Sequence, residues 1–291
     1  MHGLDLNALE IFRTVVAEGG VSRAAARLNR VQSNVSTRIR QLEDRLGTPL
    51  FVRQGRGLTL TPDGHLLLGY ADRLLRLSEE AADALASDRP RGVLRLGAME
   101  STAAARLPDI LARYHDAHPD VDMVLETGTA AAVLERLRGH EVEAALVAEP
   151  IPFRDLEARP VFTESLVLVA PEDYPPLDDP RALDGRTVIA FEDGCAYRAH
   201  LEGWLRDGGV RPGGFMAVSS YLAIFACVAA GTGYAVVPAS VLAMVAAKGR
   251  FRRHPLPGPL AAIRTLLVWR AGPLSPGLEA LRDLMPALPT P

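Results

Sequence analysis

The sequence predicts a multidomain chain: an all-α head ending in a small β-hairpin, one long helix, and an α/β body. Three features carry that reading. Apolar residues recur at helical spacing over residues 5–46, then give way to two short extended pieces around a Gly-rich turn. A heptad-spaced apolar seam follows, and after Gly92 short apolar runs alternate with helical stretches. A chain of 291 residues is too long for one small core and suits two or three domains.

In the head, Asp5 can cap a helix bearing Leu9, Phe12, Val15 and Val16, which Gly19-Gly20 ends. Ser22 is expected to cap a short second helix with Ala24, Ala25 and Leu28 inward, and Asn29-Arg30 to turn the chain. A third helix is expected from Gln32 to Leu46, stopped by Gly47, with Val35, Ile39, Leu42 and Leu46 on its packing face. LFVR and LTLT, on either side of Gln54-Gly55-Arg56-Gly57, read as a hairpin, or wing.

Thr61-Pro62 offers a capping hydroxyl and a first-turn proline to a helix expected to reach about Ser87. Its Leu67, Tyr70, Leu74, Leu77, Ala81 and Ala84 lie three and four apart, the spacing that pairs two helices, and Leu66, Leu68, Leu75 and Leu85 widen the seam. Arg89-Pro90-Arg91-Gly92 reads as a hinge. The expected boundaries are therefore 1–62, 63–91 and 92–291.

In the body, strands are expected at 93–97, 121–126, 143–148, 165–170, 187–191, 215–219, 234–238 and 265–269. Helices are expected at 103–117, 130–139, 199–208, 221–230, 239–247 and 276–285, and the Pro-rich stretches 171–180 and 255–259 read as loops. The alternation implies a largely parallel sheet.

Charge is distributed unevenly. Residues 1–62 hold nine arginines and five carboxylates, a balance of +4, so with −3 overall the remainder carries −7. A basic head on an acidic body is the asymmetry expected of a nucleic-acid-binding module. Two cysteines give no disulfide framework and fit a reducing compartment. MHGLDLNALEIF lacks the basic start and apolar run of an export signal, and Gly231, Gly233 and Pro238 interrupt the most apolar stretch. A cytoplasmic protein with no membrane partner is expected. No phosphate loop, dinucleotide fingerprint, G-x-S-x-G or H-E-x-x-H stands in the chain, which argues against an enzyme; no cofactor is expected. His115 and His118 lack a third ligand, so no metal is expected. Cys195, beside Tyr197 and Arg198, is a candidate redox thiol, but buried structural cysteine is the commoner case; Cys227, inside AIFACVAAG, reads as core.

On the third helix, one residue per roughly 100° places Ser33, Thr37 and Arg40 opposite the packing face, with Gln32 and Ser36 flanking them. Hydroxyls, an amide and an arginine suit base edges and phosphates in a major groove. Arg53 and Arg56 flank the wing turn, where cations meet phosphates or a minor groove. A solvated polar face is the plainer reading of this helix alone; the order of helices, wing and long helix weighs against it.

The stretch LNALEIFRTVVAEGGVSRAAARLNRVQSNVSTRIRQLEDRLGTPLFVRQGRGLTLTPDG resembles the N-terminal domain of LysR-type transcriptional regulators. The resemblance implies a winged helix-turn-helix, a long linker helix that dimerises, and an effector domain like type 2 periplasmic binding proteins. That domain would comprise two Rossmann-like halves, 92–165 with 266–291, and 166–265. It places DNA reading on Gln32, Ser33, Ser36 and Thr37, with wing contact at Arg53. Thr37 stands where the family often has arginine, and Val31 where a capping hydroxyl is common. GCAYRAHLEGWL and SSYLAIFACVAAGTGYAVVPASVL are similar to a subgroup that includes regulators of sarcosine oxidation and cell division, with Ala196 where serine is common. Expected partners are double-stranded DNA carrying an interrupted inverted repeat, a small-molecule effector, and a second or further copies of the chain as homodimer or homotetramer. A contact with RNA polymerase stays open.

Ligands of open α/β sheets sit beyond the carboxyl ends of strands, near helix starts. Glu100-Ser101-Thr102, Thr127-Gly128-Thr129 and Ser219-Ser220-Tyr221 each stand at such a place, although each is also an ordinary cap. The expected effector residues are Glu100, Ser101, Thr102, Thr127, Gly128, Arg198, Ser220 and Tyr221, with Arg198 as a carboxylate clamp if it faces the cleft. The expected ligand is a small polar metabolite, with an amino-acid-like zwitterion suiting Glu100 and Arg198 together.

Overall fold

The computed structural model describes residues 4–54, 57–86, 89–174, 180–245, 251–256 and 258–288. The chain divides into two compact units, Met1–Ala86 and Ser87–Pro291.

The first unit holds α1 (Leu6–Ala17), α2 (Val21–Arg27), α3 (Gln32–Leu46), β1 (Phe51–Gln54), β2 (Gly57–Leu60) and α4 (Pro62–Ala86). Asp5 caps α1 by accepting from the Asn7 N–H at 3.1 Å. Ser22 does not cap α2: Gly20 is the N-cap, and Ser22 lies inside the helix. Asn29 turns the chain with φ 51°, a left-handed value that asparagine tolerates. α3 starts at Val31 without a side-chain cap and ends at Gly47 in the left-handed region. Leu9, Ile11, Phe12, Val35, Ile39, Leu42 and Leu50 form one core, whereas Leu46 of the expected packing face is exposed at the helix end. Glu43 Oε1 accepts from Leu50 N at 2.8 Å and Phe51 N at 3.3 Å, tethering the hairpin β1–β2 to α3. Thr61 Oγ1 accepts from Gly64 N at 2.9 Å, and Pro62 opens α4.

One residue of the expected seam of α4 is replaced: Leu67 turns inward and Leu66 takes its place beside Tyr70, Leu74 and Leu77. Leu67 and Leu75, with Ala71 between them, are buried in the head's own core. Leu66, Tyr70, Leu74 and Leu77, at spacings of four, four and three, stay exposed at 62%, 52%, 36% and 51%. Ala81 is also exposed, and the side chain of Ala84 lies outside the described residues.

The second unit runs through β3 (Gly92–Met99), α5 (Glu100–Ala105), α6 (Pro108–Ala117), β4 (Val121–Gly128), α7 (Ala130–Arg138), β5 (Ala144–Ala148), β6 (Leu156–Glu164) and β7 (Leu166–Pro171). It continues with β8 (Thr187–Ala190), α8 (Ala196–Asp207), β9 (Gly214–Ala217), α9 (Tyr221–Ala229), β10 (Ala235–Pro238), α10 (Ala239–Val245), β11 (Phe251–Pro255), β12 (Ile263–Arg270) and α11 (Pro276–Leu284). The single helix expected over 103–117 is two: Pro108 lacks an N–H and opens α6, so α5 ends before it.

The expected largely parallel sheet is mixed. One sheet has the order β4-β3-β5-β12-β6, in which β3 is parallel to β4 and β5 while β12 is antiparallel to β5 and β6. The other half pairs β7 antiparallel with β10 and β11, and β8 parallel with β9. An isolated Val188–Tyr234 bridge connects β8 to the residue before β10. β6 stands where no strand is expected from sequence, and its LEARPVFTE contains Pro160. The proline sits at a register shift on an edge strand, where no ladder donor is required of it. β11 reaches Pro255, also on an edge, so the loop expected at 255–259 starts one residue late.

The halves share one continuous apolar cluster that includes Val133, Leu137, Val147, Leu168, Val188, Leu201, Tyr234 and Val268. The chain passes from the first sheet to the second at Ser165, between β6 and β7, and returns between β11 and β12. Beside the first crossing, the buried Glu164 accepts from Arg106 Nε at 2.5 Å and from Ser240 Oγ, at the start of α10, at 2.8 Å.

Candidate functional site

The exposed surface of α3 carries its chemistry in one continuous stretch. Gln32, Ser33, Thr37 and Arg40 are exposed and Ser36 is half-buried, while Val35 and Ile39 hold the opposite face in the core. Arg40 has no protein partner among the described residues. Arg23 and Arg27 are different: Arg23 Nε donates to the Glu18 carbonyl, and Arg27 pairs with the Glu18 carboxylate at 3.4 Å. Both are thus used to fix the α1–α2 turn. The backbone of Arg53 lies in β1; its side chain and the whole of Arg56 lie outside the described residues.

In the second unit a small cavity of about 20 Å³ forms where the two halves meet. Its walls come from Met99, Glu100 and Ser101 at the β3–α5 join, Gly128, Thr129 and Ala130 at the β4–α7 join, and Phe191, Cys195, Tyr197 and Tyr221 of the other half. Backbone geometry brings the halves this close. Gly194 adopts φ +90°, its carbonyl accepts from Ala131 N at 3.2 Å, and a Cβ there would stand 2.8 Å from the Ala131 methyl. Thr129 caps α7 by accepting from Ala132 N at 3.2 Å.

The cavity is lined mainly by apolar surface, and its few polar atoms are unusual. Ser101 and Tyr197 are each only 3% exposed. The Tyr197 hydroxyl turns toward Ser101 and Thr265, and Tyr221 turns toward Ser101, but none of these approaches completes a hydrogen bond for Ser101 or Tyr197. Ser101 Oγ, Tyr197 OH and Glu100 Oε2 are thus buried without a hydrogen-bond partner. Burial raises the Glu100 carboxyl above the ordinary range, and the facing Tyr221 N–H partly offsets this. Burial likewise pushes up the hydroxyls of Tyr197 and Tyr221 and the thiol of Cys195.

Of the residues expected from sequence, Glu100, Ser101, Gly128 and Tyr221 line this cavity. Thr102 is buried, Thr127 faces outward from β4, and Ser220 precedes α9 without capping it by its side chain. Arg198 lines a second, larger cleft of about 520 Å³ next to the first, and every arm of its guanidinium is engaged. Nε reaches Glu202 at 2.7 Å, one amino group Phe191 O at 3.2 Å and the other Asp193 at 2.8 Å, with the Phe215 ring 4.9 Å away. Sequence reading missed Phe191 and the inward side chains of Cys195 and Tyr197, and from the Thr127-Gly128-Thr129 triplet it chose Thr127 where Thr129 lines the cavity. The signal was the GCAYR stretch, where Gly194 permits the sharp approach that turns both residues of Cys-x-Tyr into the cavity.

No helix among the described residues is long and apolar enough to cross a membrane, and no cluster of three metal-ligating side chains occurs among them. Residues 6–65 match the bacterial regulatory helix-turn-helix proteins of the lysR family, and residues 87–288 match the LysR substrate binding domain. The HTH-type transcriptional regulator GltR of Bacillus subtilis (strain 168) is 37% identical over 279 residues, covering 95% of this chain and 94% of that protein. The fold is also that of a full-length OxyR variant from Pseudomonas aeruginosa (TM-score 0.71, 24% identity, 98% and 95% of the two chains). The structure of full-length CbnR complexed with its target DNA is similar too (TM-score 0.70, 20% identity, 97% and 99%). A helix-turn-helix head, a substrate-binding-domain body and a relative matched along nearly its whole length converge on one conclusion: this chain belongs to the LysR family and is a DNA-binding regulator of transcription with a C-terminal effector-binding domain, not an enzyme.

Proposed function

We propose that the body senses a small polar metabolite in the cavity between its halves and that this ligand controls the regulator in the cytoplasm. The observation that carries the reading is the set of three buried, unpartnered polar atoms, Glu100 Oε2, Ser101 Oγ and Tyr197 OH, around one cavity. An unmet buried polar group costs about 1–3 kcal/mol. A ligand that pairs with these atoms recovers that cost only in the state that holds it, and so biases the arrangement of the two halves. The residues assigned are Glu100, Ser101, Thr129, Cys195, Tyr197 and Tyr221.

On the head, Gln32, Ser33, Ser36 and Thr37 read the major groove, and Arg40, Arg53 and Arg56 meet phosphates. The uncapped start of α3 presents backbone N–H groups suited to a phosphate. The exposed stripe Leu66, Tyr70, Leu74 and Leu77 pairs two chains, so the DNA site is an interrupted inverted repeat.

A thermal-shift screen of metabolites on the full chain tests the sensor reading, because a ligand of the folded state raises its stability. A hit should be lost in Ser101→Val and Tyr197→Phe; a hit unaffected by both places the site elsewhere. Leu74→Asp tests the pairing. Sedimentation should show monomers at low micromolar concentration, and a variant that stays dimeric rules the stripe out.

A further inference from the structure

We infer that the cavity recognises a primary ammonium group and the adjoining cleft the apolar body attached to it, so that the effector class is a hydrophobic amine without a required carboxylate. This rests on the sensor reading above and narrows it.

The head group follows from the chemistry of the small cavity. Its three unpartnered oxygens can all accept hydrogen bonds; two are hydroxyls that can also donate, and the third, on the Glu100 carboxylate, supplies the charge that favours a cation. A primary ammonium has three N–H donors and one positive charge, a match in both number and sign. The rings of Phe191 and Tyr221, 4.8 Å apart, line the same space, and aromatic faces attract a cation. About 20 Å³ admits a group the size of one water and excludes a trimethylammonium.

The case against an anion is equally specific. A ligand carboxylate at the start of α9 would meet the Glu100 carboxyl, which already faces the Tyr221 N–H. In the adjoining cleft the cation is Arg198, committed to Glu202, Asp193 and Phe191 O. His200 Nε2 lies 3.0 Å from Glu149 O. An anion would therefore meet the Glu100 carboxylate in the small cavity and, in the cleft, an Arg198 already paired with Asp193 and Glu202, with no uncommitted guanidinium among the described lining residues.

The body of the ligand follows from the second cleft. Its walls are largely alanine, proline and leucine (Ala130, Ala131, Leu134, Ala148, Pro150 and Pro152). It shares Ala130 and Cys195 with the small cavity, and its volume of about 520 Å³ suits a phenyl or short alkyl group with room to spare.

Calorimetric titration of the full chain with 2-phenylethylamine, methylamine, 3-phenylpropanoate and phenylalanine tests the assignment. Phenylethylamine should bind about tenfold or more tighter than phenylpropanoate, as expected when a charged hydrogen bond decides recognition. It should also bind tighter than methylamine, lose about tenfold or more in Glu100→Gln, and slow alkylation of Cys195 by iodoacetamide. Tyr197→Phe, which keeps the ring, is the second variant should Glu100→Gln misfold, and it should weaken the amine as well. If phenylpropanoate binds as tightly as the amine and loses affinity in Tyr197→Phe, the ammonium assignment falls while the sensor reading stands. If phenylalanine binds about tenfold or more tighter than the amine, a carboxylate is required and the assignment falls in that respect. If none of the four binds at millimolar concentration, the ammonium assignment falls, and the metabolite screen decides the sensor reading separately.

Discussion

The head and the body arrange polar side chains in opposite ways. On α3, Gln32, Ser33, Thr37 and Arg40 stand in water, neighbours in sequence and on one face, with the fold held by Val35, Ile39 and Leu42 behind them. In the body the polar atoms of the proposed pocket are buried, and its lining comes from segments as far apart as residues 100 and 221. A surface that meets a polymer must be exposed beforehand, and water satisfies it until DNA arrives. Polar groups that are buried and left without a protein partner are a cost to the folded state, and the proposed ligand would remove it by pairing with them.

Substitutions can break or sharpen this contrast. The largest effect is expected at Glu164, where the body uses a buried carboxylate structurally. Glu164→Leu leaves Arg106 and Ser240 without their shared acceptor and should destabilise the body by about 2–4 kcal/mol, below the top of the range for buried pairs because Arg106 is partly exposed. Denaturant titration followed by limited proteolysis of the two units should show the loss in the body and none in the head. In the head, Arg40→Ala should leave stability within about 0.5 kcal/mol. It should also lower affinity for all DNA sequences and reduce the salt slope by about one, while Gln32→Ala chiefly loses discrimination between sites. Gel shifts over a salt series measure both. The smallest effect, and the sharpest test of the contrast, is Tyr197→Phe. Because the hydroxyl it removes is buried and unpartnered, unfolding free energy should stay within about 1 kcal/mol of wild type or rise, while ligand binding falls. A loss of several kcal/mol would mean that the hydroxyl supports the fold rather than the ligand.

The same contrast governs what could be read from sequence. Head elements are set by short-range signals, such as the Asp5 cap, the Gly47 stop and the Thr61-Pro62 start, and α3 presents the face that its spacing implies. Errors there came from competition between faces. Leu67 and Leu74 both fit a heptad, and only packing decides that Leu67 turns inward. In the body, helix starts were legible, which put Glu100, Ser101, Gly128 and Tyr221 at the cavity. Strand direction was not, since the placement of β12 between β5 and β6 depends on a return from the second half that no local pattern encodes. Arg198 looked like a clamp because a lone arginine in a loop sequence does not announce its partners. Glu202, one helical turn on, was the available hint.

The two passages between the sheets, at Ser165 and between Pro255 and Ile263, have a mechanical meaning. Two points define a line, and a body joined through two points swivels about that line. Rotation about it would open or close the cleft between the halves, and the apolar cluster common to both opposes opening because part of it would be exposed to water. Glu164, tied to Arg106 and Ser240 beside the first crossing, lies near that line. In any such rotation the residues farthest from the line would sweep the largest arcs, so the proposed ligand need bring about only a small change close to it.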